Sequence, residues 1–67
     1  MDVKTIGKLV RNKRKKLNIT QAYLAAAANT GVRFISDLEN GKPTIELGKV
    51  LHVLKTLNIK LEVIDND

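Results

Sequence analysis

The 23-residue stretch from Thr20 to Lys42, TQAYLAAAANTGVRFISDLENGK, constrains the fold more than any other part of the chain. It reads as two short helices joined by a tight corner. Ala25 to Ala28 remove side-chain bulk where a second helix must cross closely, and Asn29 tolerates the left-handed conformation that ends a helix. Gly31 gives the next helix a permissive start. On that helix Ile35 and Leu38, three apart, face inward, while Val32, Arg33, Ser36 and Asp37 lie on the opposite or flanking surface. The 67 residues make one domain, and a chain this small buries only about 60% of the surface its unfolded form exposes. Its stability is expected to be marginal unless it associates.

Two short helices with a polar outer face are the layout of a helix-turn-helix, in which the second helix can lie in a major groove of DNA. Charge placement agrees with that reading. Residues 1–20 hold seven Lys or Arg against one acid, and residues 21–67 hold five against six, within a net charge of +5. The basic surface therefore belongs to the first helix. The run Arg11-Asn12-Lys13-Arg14-Lys15-Lys16 has a second reading, a solvated helix end that complements the helix dipole. The absence of Cys excludes a disulfide framework and a thiolate metal site, and it fits a reducing cytoplasm. No apolar run approaches the ~20 residues of a membrane span, and no signal-peptide core opens the chain. The expectation is a soluble protein of the cytoplasm, with no membrane partner.

No linker, repeat or low-complexity tract divides the sequence. A first helix is expected from about Val3 to Leu17, capped by Asp2, with Ile6, Val10 and Leu17 on a buried stripe that Leu9 widens. Thr20 caps the second helix, which buries Leu24, Ala25 and Ala28. The third covers roughly Val32 to Asn40, and Gly41 stops it. After Pro43 and Thr44 a fourth helix runs from about Ile45 to Leu57. Its apolar residues Leu47, Val50, Leu51, Val53, Leu54 and Leu57 make a stripe too wide for one side of so small a core, so part of it is expected to meet a partner. Beyond Asn58, Ile59 to Ile64 alternates apolar and charged residues and reads as a strand. Nothing else in the chain can pair with it. It either pairs with its own copy across a two-fold axis or packs on the fourth helix as a frayed tail. Residues 1–58 thus form the expected DNA-binding domain and 59–67 a dimerisation strand with a short tail, with Val53, Leu57, Ile59, Leu61 and Val63 at the dimer contact. With Asp67 three residues past the expected strand, a longer C-terminal tail is not expected.

Several segments together resemble the Cro/CI-type (Xre) helix-turn-helix family. They are Thr20-Gln21, Leu24-Ala25, Arg33-Phe34-Ile35-Ser36, and Asp37 to Thr44 followed by Gly48-Lys49-Val50-Leu51. The last stretch, with Leu61-Glu62-Val63, is similar to the HipB-like antitoxins and regulators within that family. The resemblance covers nearly the whole chain. It implies an all-α, lambda-repressor-like domain of four to five helices, with the C-terminal strand pairing across a dimer.

The resemblance also implies roles position by position. Gln21 contacts the DNA backbone and braces the recognition helix; Val32, Arg33 and Asp37 reach base edges; Thr30 and Ser36 add phosphate or base contacts. Arg33 is the leading candidate for direct readout, since its planar fork can bond both acceptors on guanine. Val32 offers apolar contact, as with a thymine methyl. Asp37 either accepts from a cytosine amine or pairs within the chain with Arg33 one turn earlier. Asn40 and Lys42 hold phosphates, and Arg14 and Glu39 form a partly buried salt bridge between the first and third helices. Asn29, Thr30 and Gly31 depart from the Gly, apolar residue and Ser or Thr usual at those positions, and Gly31 lacks the hydroxyl that would contact a phosphate there.

Implied partners are double-stranded DNA carrying a palindromic operator, a second copy of the chain, and a HipA-like Ser/Thr kinase toxin encoded in the same autorepressed operon. A stand-alone repressor and a protein-interaction module with only non-specific DNA affinity are the alternatives. Enzyme chemistry has little support, and no cofactor or metal is expected. The sole His, His52, falls on the polar side of the fourth helix near Glu46, Lys49 and Thr56 and reads as solvated. Ser36 and Asp37 point in different directions, and no phosphate loop or ligand cluster exists. Tyr23 and Phe34 are too few to stack single-stranded nucleic acid.

Overall fold

Asp2 opens the first helix, its Oδ1 accepting from the Thr5 backbone N–H at 2.8 Å and from the Thr5 hydroxyl at 2.9 Å. The computed structural model describes residues 1–66 and contains four helices: α1 (Val3–Lys16), α2 (Gln21–Ala27), α3 (Val32–Glu39) and α4 (Leu47–Thr56). Thr20 caps α2 by accepting from the Tyr23 N–H at 3.0 Å. Glu46 caps α4 with both carboxylate oxygens. The all-helical architecture matches the expectation from sequence, at the lower of the two helix numbers.

All four helices end in the same way. The residue after each C-cap is left-handed: Asn18 (φ 61°), Asn29 (54°), Gly41 (75°) and Asn58 (59°). In each case the next N–H reaches back five residues, as in Ile19 to the Arg14 carbonyl at 3.2 Å, Thr30 to Ala25 at 2.8 Å, Lys42 to Asp37 at 3.0 Å and Ile59 to Leu54 at 2.8 Å. These are Schellman motifs, which satisfy carbonyls that a helix end otherwise strands. Asn serves at three corners because its short side chain tolerates the left-handed region. At the fourth it would collide, since a Cβ on Gly41 would stand 2.6 Å from Lys4 Cγ and 3.0 Å from Lys4 Cα.

Val10, Leu24, Ala25, Ala28, Ile35, Leu38, Val50, Val53, Leu54 and Leu57 form one core, with Ile6, Ile19, Phe34, Ile45 and Ile59 packed against it. α3 packs against both α1 and α2. Gly7 is where α1 crosses α3. A side chain there would run into the backbone carbonyl of Leu38.

Several expectations need correction. Leu17 was expected in the α1 stripe but is 50% exposed, because the chain reverses at Asn18 and sends Ile19 inward instead. Leu9, expected to widen the same stripe, is likewise exposed. α4 begins at Leu47 rather than Ile45. Ile45 and Val50 flank the Glu46 cap at the positions of a hydrophobic staple, as Ile19 and Leu24 flank Thr20, so the first isoleucine of each pair packs inward before its helix starts.

The strand expected over Ile59 to Ile64 does not form in the single chain: among the described residues no strand occurs, and residues 59–66 are irregular. A lone strand has no backbone partner; Ile59 is held through its N–H and its side chain. Asp67, part of the expected terminal segment, lies outside the described residues. Val53 and Leu57, expected at a dimer contact, are buried in the chain's own core and have no surface left to offer. The exposed apolar residues of this region are Leu47, Leu51, Leu61, Val63 and Ile64.

Candidate nucleic-acid interface

α3 is short and strongly two-sided. Ile35 and Leu38 are fully buried, Val32 is half exposed, Arg33 is exposed, and Ser36 and Asp37 sit at the boundary. Gly31 lacks a side chain to cap the helix, so no side-chain hydrogen bond occupies the first turn of α3. Those N–H groups and the positive end of the helix dipole point at whatever approaches.

The far end of α3 is fixed by an ion pair. Arg14 Nε donates to Glu39 Oε2 at 2.7 Å and Nη2 to Oε1 at 3.0 Å, a bidentate fork, while Nη1 donates to the Ile19 carbonyl at 2.9 Å. Gln21 Nε2 adds a bond to Glu39 Oε1 at 3.1 Å. One carboxylate thus ties α1, the start of α2 and the end of α3 together. Burial pushes the Glu39 carboxyl up, but the bonds from Arg14 and Gln21, with the charges of Arg14 and Arg11, outweigh it and hold the group below the usual Glu value. The same bond raises the Arg14 guanidinium above its ordinary value. Charge-assisted, two-pronged bonds of this kind set geometry as well as energy.

Beyond Glu39 the Schellman turn folds Lys42 back over α3. Its ammonium lies 3.5 Å from Asp37 Oδ2, with both side chains partly exposed. The intramolecular partner of Asp37 is therefore Lys42, not Arg33 one turn earlier. The reason is the reversal at Gly41, which the Lys42 N–H bond to the Asp37 carbonyl pins in place. Among the described residues Arg33 takes part in no ion pair, which leaves its guanidinium available to an outside group. Asn40 Nδ2 makes a long bond of 3.4 Å to Ser36 Oγ. Thr30 is half buried just before α3.

One contact beside α3 was missed by the sequence reading. Lys49 of α4 places its ammonium 5.8 Å from the centroid of the Phe34 ring on α3. No spacing rule links residues 34 and 49, so only the tertiary packing of α4 beside α3 brings them together. His52 is exposed, and its backbone carbonyl accepts from the Thr56 hydroxyl at 2.9 Å. Among the described residues no group of acidic, His or Cys side chains could hold a metal ion, and no helix is long and apolar enough to cross a membrane.

The helix-turn-helix family model HTH_3 matches residues 10–64, most of the chain. The chain belongs to the HTH_3 family. This HTH_3 chain is 52% identical over 59 residues to an uncharacterized HTH-type transcriptional regulator, y4mF, of Sinorhizobium fredii (strain NBRC 101917 / NGR234), covering 88% of this chain and 78% of that protein. It is also 28% identical over 64 residues to an ImmF control region 10 kDa protein of Bacillus phage phi105, covering 96% and 71%. Together these place the HTH_3 chain among the HTH-type transcriptional regulators. In fold it is similar to a chain of a HipA-HipB-O2-O3 complex and to a chain described as MDT protein. Each has a TM-score of 0.86 and 19% identity, over 100% of this chain and 94% of the other.

Proposed function

We propose that this HTH_3 regulator is a sequence-specific DNA-binding repressor that acts as a homodimer in the bacterial or phage cytoplasm, at the nucleoid, and serves as the HipB-like antitoxin of a type II toxin-antitoxin operon. The observation that carries the DNA reading is α3 itself. It is held at one end by the Arg14–Glu39–Gln21 network, and it leaves Val32 and Arg33 exposed.

In this reading Arg33 bonds guanine acceptors, Val32 meets a thymine methyl, and Ser36 with Asp37 completes the base-facing row. Gln21, Thr30, Asn40 and Lys42 hold the backbone regardless of sequence. Asp37 is then divided between a base amine and Lys42, and pairing with Lys42 lessens its repulsion of phosphate. Residues 1–58 act as the reading domain. The segment from residue 59 onward, with Ile59, Leu61 and Val63, pairs across a two-fold axis beside the exposed Leu47 and Leu51 of α4. Two α3 helices then enter successive major grooves, with half-sites about one turn, ~34 Å, apart.

The antitoxin role is supported by the fold likeness to a chain of a HipA-HipB-O2-O3 complex. In this reading the chain binds a HipA-like Ser/Thr kinase and represses its own operon. A kinase-like gene beside its own favours that role, and its absence favours a stand-alone repressor. The deciding experiment titrates the protein against its upstream promoter fragment and a random duplex of equal length at two salt concentrations. Promoter-selective binding supports the repressor. Equal, weak and strongly salt-sensitive binding removes it and leaves a protein-binding module with only charge-driven DNA affinity.

A further inference from the structure

A cleft of about 200 Å³ separates the α2–α3 corner from the first turn of α4, with Asn29, Thr30, Glu46, Lys49 and His52 in its lining. Its cation is Lys49, exposed and standing over the Phe34 ring. Among the described residues no carboxylate pairs with that ammonium. Glu46 is the acid of the cleft, and both of its oxygens are engaged by α4, Oε1 by the Gly48 N–H at 3.1 Å and Oε2 by the Lys49 N–H at 2.6 Å. Its charge therefore sits against the positive end of the α4 dipole, which offsets it. Lys42 differs, since Asp37 stands beside its ammonium. An aromatic face attracts a cation without cancelling its charge. Lys49 thus keeps a full positive charge on the flank of the helix that carries Arg33.

We propose that this cleft receives a backbone phosphate of the duplex that α3 reads, with Lys49 as its cation and the Thr30 hydroxyl as a donor. The inference rests on the DNA-binding reading above. A phosphodiester fits better than a free anion because the two groups flank α3 itself: Thr30 lies two residues before its first turn, and Lys49 leans on its Phe34. A phosphate held there is continuous with the backbone bordering the groove that α3 enters. Ammonium and hydroxyl carry no base information, so the contact strengthens binding to every sequence alike.

The test titrates the intact protein and its Lys49→Met, Lys49→Arg and Thr30→Val variants against the promoter fragment and the random duplex over a range of salt. Lys49→Met is expected to weaken both duplexes by the same factor and to flatten the dependence of log affinity on log salt by about 0.9, the loss of one phosphate contact. Lys49→Arg keeps the parent slope. Thr30→Val weakens both duplexes without changing the slope. A Lys49→Met slope equal to the parent's overturns the inference, as does a loss confined to the promoter, which would assign Lys49 to the packing of Phe34. Either result leaves the DNA-binding reading intact. A parent protein that binds neither duplex overturns both.

Discussion

Gly7 on α1 faces the backbone of Leu38 on α3 so closely that no side chain fits between them: a Cβ there would meet the Leu38 carbonyl oxygen and stand 3.0 Å from that of Glu39. Both obstacles are main chain, so neither can rotate aside. Gly7→Ala improves helix propensity by about 1 kcal/mol, but forcing the helices apart costs about 1–3 kcal/mol or more. The net expectation is destabilisation, read as a fall of several degrees in the thermal midpoint. An unchanged midpoint would mean that α1 and α3 slide apart without cost.

Glu39→Gln preserves shape and removes the charge that Arg14 needs. The guanidinium is largely buried, so the variant strands it, at an expected cost of about 3 kcal/mol in denaturant unfolding. Because α3 ends at Glu39, DNA affinity should fall with stability.

The same carboxylate makes the fold sensitive to acid. Its folded pKa lies below its unfolded one, near 4.3, so its contribution is complete above that value and is lost as pH falls through the folded pKa. Asp2, lowered by its bond from the Thr5 N–H, acts in the same direction. Unfolding free energy should be flat through neutrality and decline below about pH 4.5. In Glu39→Gln the decline should be shallower, as chemical melts at stepped pH would record.

Arg33→Ala is expected to cost about 1–3 kcal/mol, mainly on the preferred duplex. Lys42→Ala should weaken all duplexes about equally and reduce the salt slope. Losing Lys42 also strips Asp37 of its partner, which should add to the loss through repulsion of phosphate. Equal losses on specific and random DNA for Arg33→Ala would remove its readout role.

The corners give a matched pair of substitutions. Asn29→Gly relieves a left-handed residue at a small entropic cost in the unfolded chain and should be within about 0.5 kcal/mol of neutral. Gly41→Asn, acceptable by backbone angle alone, should cost about 1–3 kcal/mol because its Cβ meets Lys4. Thermal melts of the two variants check both.

Much of the fold is legible because its signals are local. Asp2, Thr20, Asn29 and Gly41 each mark a helix end by what one residue can do with its own neighbours. The start of α4 was misplaced because Ile45 is apolar and follows directly on Pro43 and Thr44, and only the Glu46 cap reveals that the isoleucine lies outside the helix. Leu17 and Ile19 look equally fit for the core, and the choice between them is made by the reversal at Asn18. Gly7 carried a signal that went unread, a glycine inside an apolar helical stripe. At the candidate interface, neighbours on α3 were readable by helical spacing. Lys49 over Phe34 and Lys42 beside Asp37 depend on turns and crossings that no periodicity encodes.

The four left-handed corners also bear on how the chain finds this structure. Each stop is written into a few consecutive residues, so where a helix ends does not depend on a distant partner. Helices this short are marginal alone, so they form as they dock, with their ends already specified. A helical domain built on such nearby contacts belongs to the fast class, reaching its native state in microseconds to milliseconds. A regulator built this way regains its reading surface almost as soon as it loses it.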